Sequence, residues 1–434
     1  MLEIDNICYQ VSQGQHMGNA EIKRLIGQLV LAIPATVKNI LLIPPDHTRK
    51  HSGLGELTAF LYRELRKTNR SVAVMPAVGT HSLMTGQQTK EMFGPEIPSS
   101  AFITHRWRED AVSIGVIPVD FVSEVSEGEI AESIDVRVNR NIVNGRYDLM
   151  ISLGQVLPHE VVGMANYGKN IFVGCGGEEM INKSHYIGAV YGLERLIGRD
   201  HSPVRKLYDY AEKNFLNNIP LIYFLTVNGT LVSGAEHTAL AGLFIGRERT
   251  VFEAAVKLSQ ATNIVKLDRK VKKIIAYLDE REFTSTWMGC KAIYRTRLAI
   301  EDGGELIVVA PGLETLGEDP QLDRLLRKYG YVGKTRIMEY VRDNPELQEN
   351  LAAPAHLIHG STEGRFSVTF VSDRISKEEL ESVNFKHLSL EKFKAMYNDR
   401  ELCHGYNHLA DGEEIFLIHN PATGLWVYGE DFEL

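Results

Sequence analysis

The sequence predicts an α/β protein: two α/β domains with mostly parallel sheets. Three observations carry that reading. Short apolar runs end in Pro, Gly or Asn, amphipathic helical patterns lie between them, and polar residues able to do chemistry sit just past the ends of the runs. In mostly parallel sheets, functional groups gather beyond the carboxyl ends of the strands. That rule puts the active site at those loops, and candidate groups in both domains, Arg49 in the first and Lys291 in the second, lead to the expectation of an active site in the interdomain cleft.

Taken in order, the runs at 39–45 (NILLIPP), 71–77 (SVAVMPA), 148–154 (DLMISLG), 170–177 (NIFVGCGG) and 220–229 (PLIYFLTVNG) read as buried strands. The stretch 55–68 places Leu57, Leu61 and Leu65 four residues apart and ends in basic residues, as an amphipathic helix does. The stretch 249–262 reads the same way. A second series begins past about residue 265. Strands are expected at 271–279, 304–312, 356–360 and 366–373, helices at 321–329 and 376–383, and a strand, turn and strand in the tail. The predicted boundaries are 1–265 for an N-terminal domain and 266–434 for a smaller C-terminal one.

The chain has 434 residues, 44% of them hydrophobic, enough for sizeable cores. A formal net charge of −9 argues against a duplex nucleic-acid binder, which usually presents a basic face. No apolar run approaches the roughly 20 residues of a spanning helix, and the start has no secretory pattern. Cys8, Cys175, Cys290 and Cys403 lie far apart with no CxxC pair, which suggests reduced thiols and a cytoplasmic protein.

Candidate chemistry starts at 44–55 (PPDHTRKHSGLG). Asp46, Thr48 and Arg49 offer a carboxylate, a hydroxyl and a fixed cation within four residues. Arg49 can hold a carboxylate or phosphate through two parallel hydrogen bonds. A helix cap with a surface ion pair is the plainer reading. His81 follows Gly79-Thr80, and His159 follows Pro158, each just past a predicted strand. A lone loop histidine is more often structural than catalytic.

The segment from His159 to His185 holds Lys169 before an apolar run, ten residues after His159 and sixteen before His185. Neither interval is an ordinary metal motif. A lysine against apolar surroundings becomes a nucleophile or covalent anchor, although a lysine snorkelling from a strand edge would look the same. At 285–297 a helical pattern puts Lys291 four residues after Trp287, on one face, with Arg295 and Arg297 nearby, or else forms a solvated basic face. His404 and His408 have i,i+4 metal-ligand spacing, but Gly405 and Asn407 argue against a helix there. The stretch VGCGGEEM lacks the dinucleotide fingerprint.

Together, Asp46-x-Thr48-Arg49, Gly79-Thr80-His81, Pro158-His159, Lys169, His185 and Lys291 resemble the lactate racemase family over most of the chain. The resemblance implies a nickel-pincer nucleotide, a pyridinium-3-thioamide-5-thiocarboxylic acid mononucleotide carrying nickel, supplied by cofactor-synthesis enzymes. It implies that Lys169 anchors the cofactor covalently and that His185 binds the nickel. Asp46, Thr48 and Arg49 match positions that bind cofactor phosphate and substrate carboxylate. His81 and His159 match the paired general acid/base histidines, and Lys291 a lysine on the substrate carboxylate.

Trp287 and Met288 stand where lactate racemase carries a Tyr-Gln pair, and the segment between His81 and His159 is longer. These departures point to a larger 2-hydroxy acid, for example a sugar acid such as D-gluconate, inverted at C2 by hydride transfer. Two other readings remain. One is an NAD-dependent 2-hydroxy acid dehydrogenase, disfavoured by the missing fingerprint. The other is a non-catalytic acid-binding protein of the same fold, disfavoured by the paired histidines. A homo-oligomer is compatible with the sequence.

Overall fold

A computed structural model of the chain describes residues 4–12, 14–229, 239–397 and 402–434. It divides into two compact units, one of residues 1–184 with 198–263, the other of residues 185–197 with 264–434. The boundary within 184–185 falls inside the helix Glu178–Tyr191.

The first unit is organised by a six-stranded sheet. Its order is Ile7–Gln10, Leu240–Gly246, Leu221–Asn228, Leu149–Gln155, Asn39–Ile43, Ser71–Val74. The last four strands run parallel, and the first two join antiparallel at one edge. Leu149–Gln155 and Leu221–Asn228 are buried at every position. Strands covered on both faces need no polar alternation, which is why they appear as unbroken apolar runs. Helices Asn19–Ala32 and Leu54–Lys67 lay Leu25, Leu29, Leu61 and Leu65 against Ile40, Leu42 and Ile151 in one core. Because those four strands are parallel, their carboxyl ends share one edge of the sheet, and the loops after them meet there.

The second unit holds another six-stranded sheet, ordered Lys386–Leu388, Ser367–Val371, Ile300–Val309, Val271–Tyr277, Glu414–Ile418, Gly405–His408. Every pair is parallel except the last. The tail strand Leu425–Tyr428 pairs with Ile264–Leu267 and not with Glu414–Ile418.

Two expected strands are corrected. Residues Asn170–Gly174 form a π-helix, in which the Cys175 amide reaches back to the Asn170 carbonyl at 3.1 Å. Residues 356–360 close the helix Ala352–Gly360. Periodicity cannot separate a short buried helix from a short buried strand, since both read as continuous apolar runs. At 170–177 the glycines hold the answer. A Cβ on Gly176 would lie 1.8 Å from the Phe172 carbonyl oxygen, so the tight wide turn closes only on glycine.

Candidate active site

The strand Asn39–Ile43 ends in Pro44-Pro45, and Pro45 extends the parallel pairing as a bridge to Ala77. Asp46 then enters a short 3-10 turn, His47–Ser52, that precedes the helix Leu54–Lys67. Its carboxylate is only 3% exposed. One oxygen accepts the Thr48 hydroxyl at 2.6 Å, and the other lies 2.6 Å from Nδ1 of His81. Burial raises the Asp46 carboxyl, but the His81 hydrogen bond and charge, Arg49 and Thr48 outweigh it and hold it below its ordinary value. Asp46 is therefore an ionised acceptor at neutral pH. The Arg49 guanidinium reaches back to the Thr48 hydroxyl at 3.3 Å.

His81 comes from the loop after Ser71–Val74, and its side chain is 41% exposed. That loop is pinned to the π-helix: the Gly79 amide donates to the Gly174 carbonyl at 2.9 Å. Gly79 has φ +56°, a left-handed conformation that suits glycine. The π-helix is tied in turn to the strand ends. The buried Asn170 amide donates to the Ile43 carbonyl at 3.2 Å and to the Ser152 hydroxyl at 2.9 Å. The ends of Asn39–Ile43, Ser71–Val74 and Leu149–Gln155 thus converge on one irregular turn.

Lys169 immediately precedes that turn. Burial lowers its ammonium to about 8, with Arg49 and Arg205 adding to the effect and Glu160 and Asp46 opposing it. A sizeable fraction of the amine is neutral, and so nucleophilic, near physiological pH. The approach to Lys169 is strained: Asn166 and Tyr167 have φ of 70° and 58°, unusual for residues with a Cβ. Surrounding contacts hold the strain in place. Arg205, 1% exposed, donates to the carbonyls of Met164 and Asn166 at 2.7 and 3.1 Å. The Tyr167 ring stacks on Phe252 at 5.0 Å, and its hydroxyl donates to the Arg247 carbonyl. Gly154 admits this loop, since a Cβ there would meet the Asn166 side chain at 1.3 Å.

His159 lies in the two-residue strand Pro158–His159, paired antiparallel with Gly163–Met164. Its side chain is 13% exposed. The Val161 backbone amide donates to its Nδ1 at 3.1 Å.

His185, Trp287, Met288 and Lys291 belong to the second unit. His185 is half-buried on the helix Glu178–Tyr191. Ser285 caps the turn Thr286–Gly289 by accepting the Met288 amide. Trp287 stacks on His356 with ring centroids 4.2 Å apart and 25° between planes. The hydroxyls of Tyr294 and Tyr331 bracket His356 at 2.9 and 3.0 Å, and Tyr331 also meets the Thr286 hydroxyl. Trp287 therefore sits on a fixed platform. Lys291 is half-buried, with its amine 5.5 Å from the Phe283 ring centre. Arg295 and Arg297 do not form a solvated face. They are 3% and 2% exposed, and Arg297 pairs with Glu194 and donates to the His359 carbonyl.

Residues 15–192 match the family profile described as lactate racemase N-terminal domain. Over that stretch the chain is similar to the N-terminal domain of lactate racemases. Over 96% of its length and 99% of the other chain, it superposes on a crystal structure of a protein from Thermotoga maritima, with a TM-score of 0.81 and 23% identity. The lactate racemase apoprotein from Thermoanaerobacterium thermosaccharolyticum gives a TM-score of 0.68 at 18% identity, covering 98% of this chain and 95% of that one. No curated protein matches the chain.

Within this lactate racemase fold, sequence reasoning missed the supports: Asn170, Arg205, Glu212 and His356. Arg205 and Glu212 lie on the buried face of the helix Pro203–Phe215, beside Val204, Tyr208 and Ala211. Charged residues on an apolar helix face were the available signal. Among the described residues, no three His, Cys, Asp or Glu side chains gather as a metal site. No described helix is long and apolar enough to cross a membrane.

Proposed function

We propose that the protein is a racemase or epimerase that inverts C2 of a 2-hydroxy acid larger than lactate, such as a sugar acid. The observation that carries this reading is the convergence of Asp46, Arg49, His81 and Lys169 on one set of parallel strand ends, with the Lys169 amine lowered to about 8. A buried amine of that kind suits a covalent amide-like anchor, and so fits the nickel-pincer nucleotide of the family. When bound, that group would supply a hydride acceptor. Lys169 would hold it, and His185 would be the single protein ligand to nickel.

The remaining work falls to side chains. Arg49 and Lys291 would hold the substrate carboxylate. His81 and His159 would exchange the hydroxyl proton on opposite sides of C2, because an imidazole can both accept and release a proton near neutral pH. Trp287 would offer its ring face to the carbon chain of the substrate. The cytoplasmic cofactor-synthesis enzymes would be the partners that load it.

The test is co-expression with those enzymes, then intact mass and stereoisomer analysis of a panel of 2-hydroxy acids. Loaded protein should carry an adduct and interconvert at least one stereoisomer pair. Lys169→Ala should show apoprotein mass and no conversion, and His185→Ala should keep the adduct and lose nickel. An unchanged adduct on Lys169→Ala would overturn the anchor. Loaded wild-type protein that converts no 2-hydroxy acid would overturn the reaction.

A further inference from the structure

Resting on that reading, we infer that Gln155, with Thr226 behind it, is a neutral hydrogen-bonding subsite at the carboxyl edge of the first unit's sheet. It takes a hydroxyl-bearing group. The proposed reaction offers one in two places, the carbon chain of a sugar acid and the ribose of the nucleotide.

The position follows from the strand order. Ser71–Val74 lies on one side of Asn39–Ile43 and Leu149–Gln155 on the other, so the chain changes direction across the sheet between these last two. Open parallel sheets bind ligands in the crevice at such a point. Ladder pairing there stops at Ile43 with Ser152. The Asn170 amide sits at that end, donating to the Ile43 carbonyl and the Ser152 hydroxyl. Asp46 and Gln155 each come three residues after the last pair, one on each side of the opening. Asn228, two residues past Thr226 on the same face, donates to the Ser52 carbonyl at 2.9 Å. It thereby ties in the turn that carries Arg49.

The chemistry follows from unmet donors and acceptors. Leu149, Ile151 and Leu153 precede Gln155 on its face of the sheet, and Ile222 and Phe224 precede Thr226, all of them in one apolar core. Gln155 and Thr226 interrupt that face at its carboxyl end, as direct partners across the parallel pair. They are 6% and 0% exposed. The Gln155 amide nitrogen, its oxygen and the Thr226 hydroxyl are all buried without a hydrogen-bond partner. Unpaired buried polar groups cost stability, and native folds keep few of them. An amide and a hydroxyl each donate and accept, and neither carries charge. The matching ligand group must do both, as a hydroxyl does. A carboxylate would leave the Gln155 oxygen without a donor, and an ammonium would leave its N–H groups without an acceptor. Gln155 keeps a small opening to solvent, so its amide is the group a ligand meets first.

The test is calorimetric titration of full-length apoprotein with D-gluconate, 2-hydroxyhexanoate and nicotinic acid mononucleotide. The two acids share chain length, carboxylate and C2 hydroxyl, but only gluconate has hydroxyls further along. Gln155→Leu should weaken gluconate, the mononucleotide or both by about 10-fold, and 2-hydroxyhexanoate by less than about 2-fold. A loss on gluconate assigns the subsite to the sugar-acid chain, and a loss on the mononucleotide assigns it to the ribose. Thr226→Val should act in the same direction by about 3-fold, and it carries the test if circular dichroism shows Gln155→Leu unfolded. Equal losses on all three probes, no loss from either folded variant, or no binding of the two hydroxyl-rich probes by wild type would overturn the subsite. Titration needs no turnover. Loaded enzyme that converts no 2-hydroxy acid would therefore sink the reaction and leave the subsite standing, and unchanged affinities would do the reverse.

Discussion

Both units build six-stranded sheets in which parallel strands predominate, yet the loops beyond their strands carry different chemistry. In the first unit the loops after Asn39–Ile43, Ser71–Val74 and Leu149–Gln155 hold groups that titrate or donate protons, and each is fixed by another polar group. In the second unit the segment after Val271–Tyr277 presents an indole held on an imidazole, with one lysine nearby. The difference teaches that one architecture can serve two tasks. Groups that must exchange protons need rigid donor and acceptor partners, whereas a group that selects shape needs a packed platform.

The largest effect that would break this contrast is at the histidines. His81→Ala and His159→Ala should each lower interconversion by roughly 10²- to 10⁴-fold, the usual worth of a positioned acid/base. A trace of keto acid should survive only with the stereoisomer that faces the remaining histidine. Stereoisomer-resolved chromatography of each variant checks this, and near-normal conversion by either would reduce the first unit to a single-base site.

Next is Trp287. Trp287→Ala should raise KM for long-chain acids by about 10-fold while changing kcat less, since lost chain contact is mostly ground-state binding. Lactate, which has little chain to contact, should respond weakly. If kcat falls instead and KM holds, Trp287 belongs with the reacting groups and the contrast between the units fails.

The smallest effect sharpens the first unit's side of the comparison. Glu212 lies beneath Gly168 and accepts the Tyr223 hydroxyl at 2.9 Å. Burial pushes its carboxyl up to about 7. Between its unfolded value of roughly 4.5 and about 7, the folded state binds more protons than the unfolded one, so this group makes stability fall as pH rises through that window. Glu212→Gln should remove that slope. The variant should gain about 1–3 kcal/mol relative to wild type at pH 8 and differ little at pH 4. Urea unfolding at the two pH values measures it, and a gain confined to pH 4 would contradict the sign.

Several elements were legible because their signals are local. Buried parallel strands announce themselves as apolar runs closed by Pro, Gly or Asn, as at 39–45 and 148–154. The helix Leu54–Lys67 shows its spacing in Leu57, Leu61 and Leu65. The turn at 170–174 and the helical 356–360 were misread because a short apolar run has no period long enough to tell helix from strand. Arg297 could be read as solvated because its partners, Glu194 and the His359 carbonyl, lie more than sixty residues away in sequence.

By itself, then, the order of residues determined which side chains this protein has for chemistry and which strand each one follows. Spacing, turn residues and apolar runs act within a few residues and need no folded context. What each side chain can do was decided only in three dimensions. In the sequence Asp46 is one carboxylate in a loop; the strand pairing beside it brings His81 to one oxygen while Thr48 takes the other. Lys169 could have been an ordinary surface ammonium, but burial in the fold and the charges of Arg49 and Arg205 lower its hold on the proton. Proton affinity and tautomer depend on burial and on the nearest donor or acceptor, and only the fold supplies those neighbours.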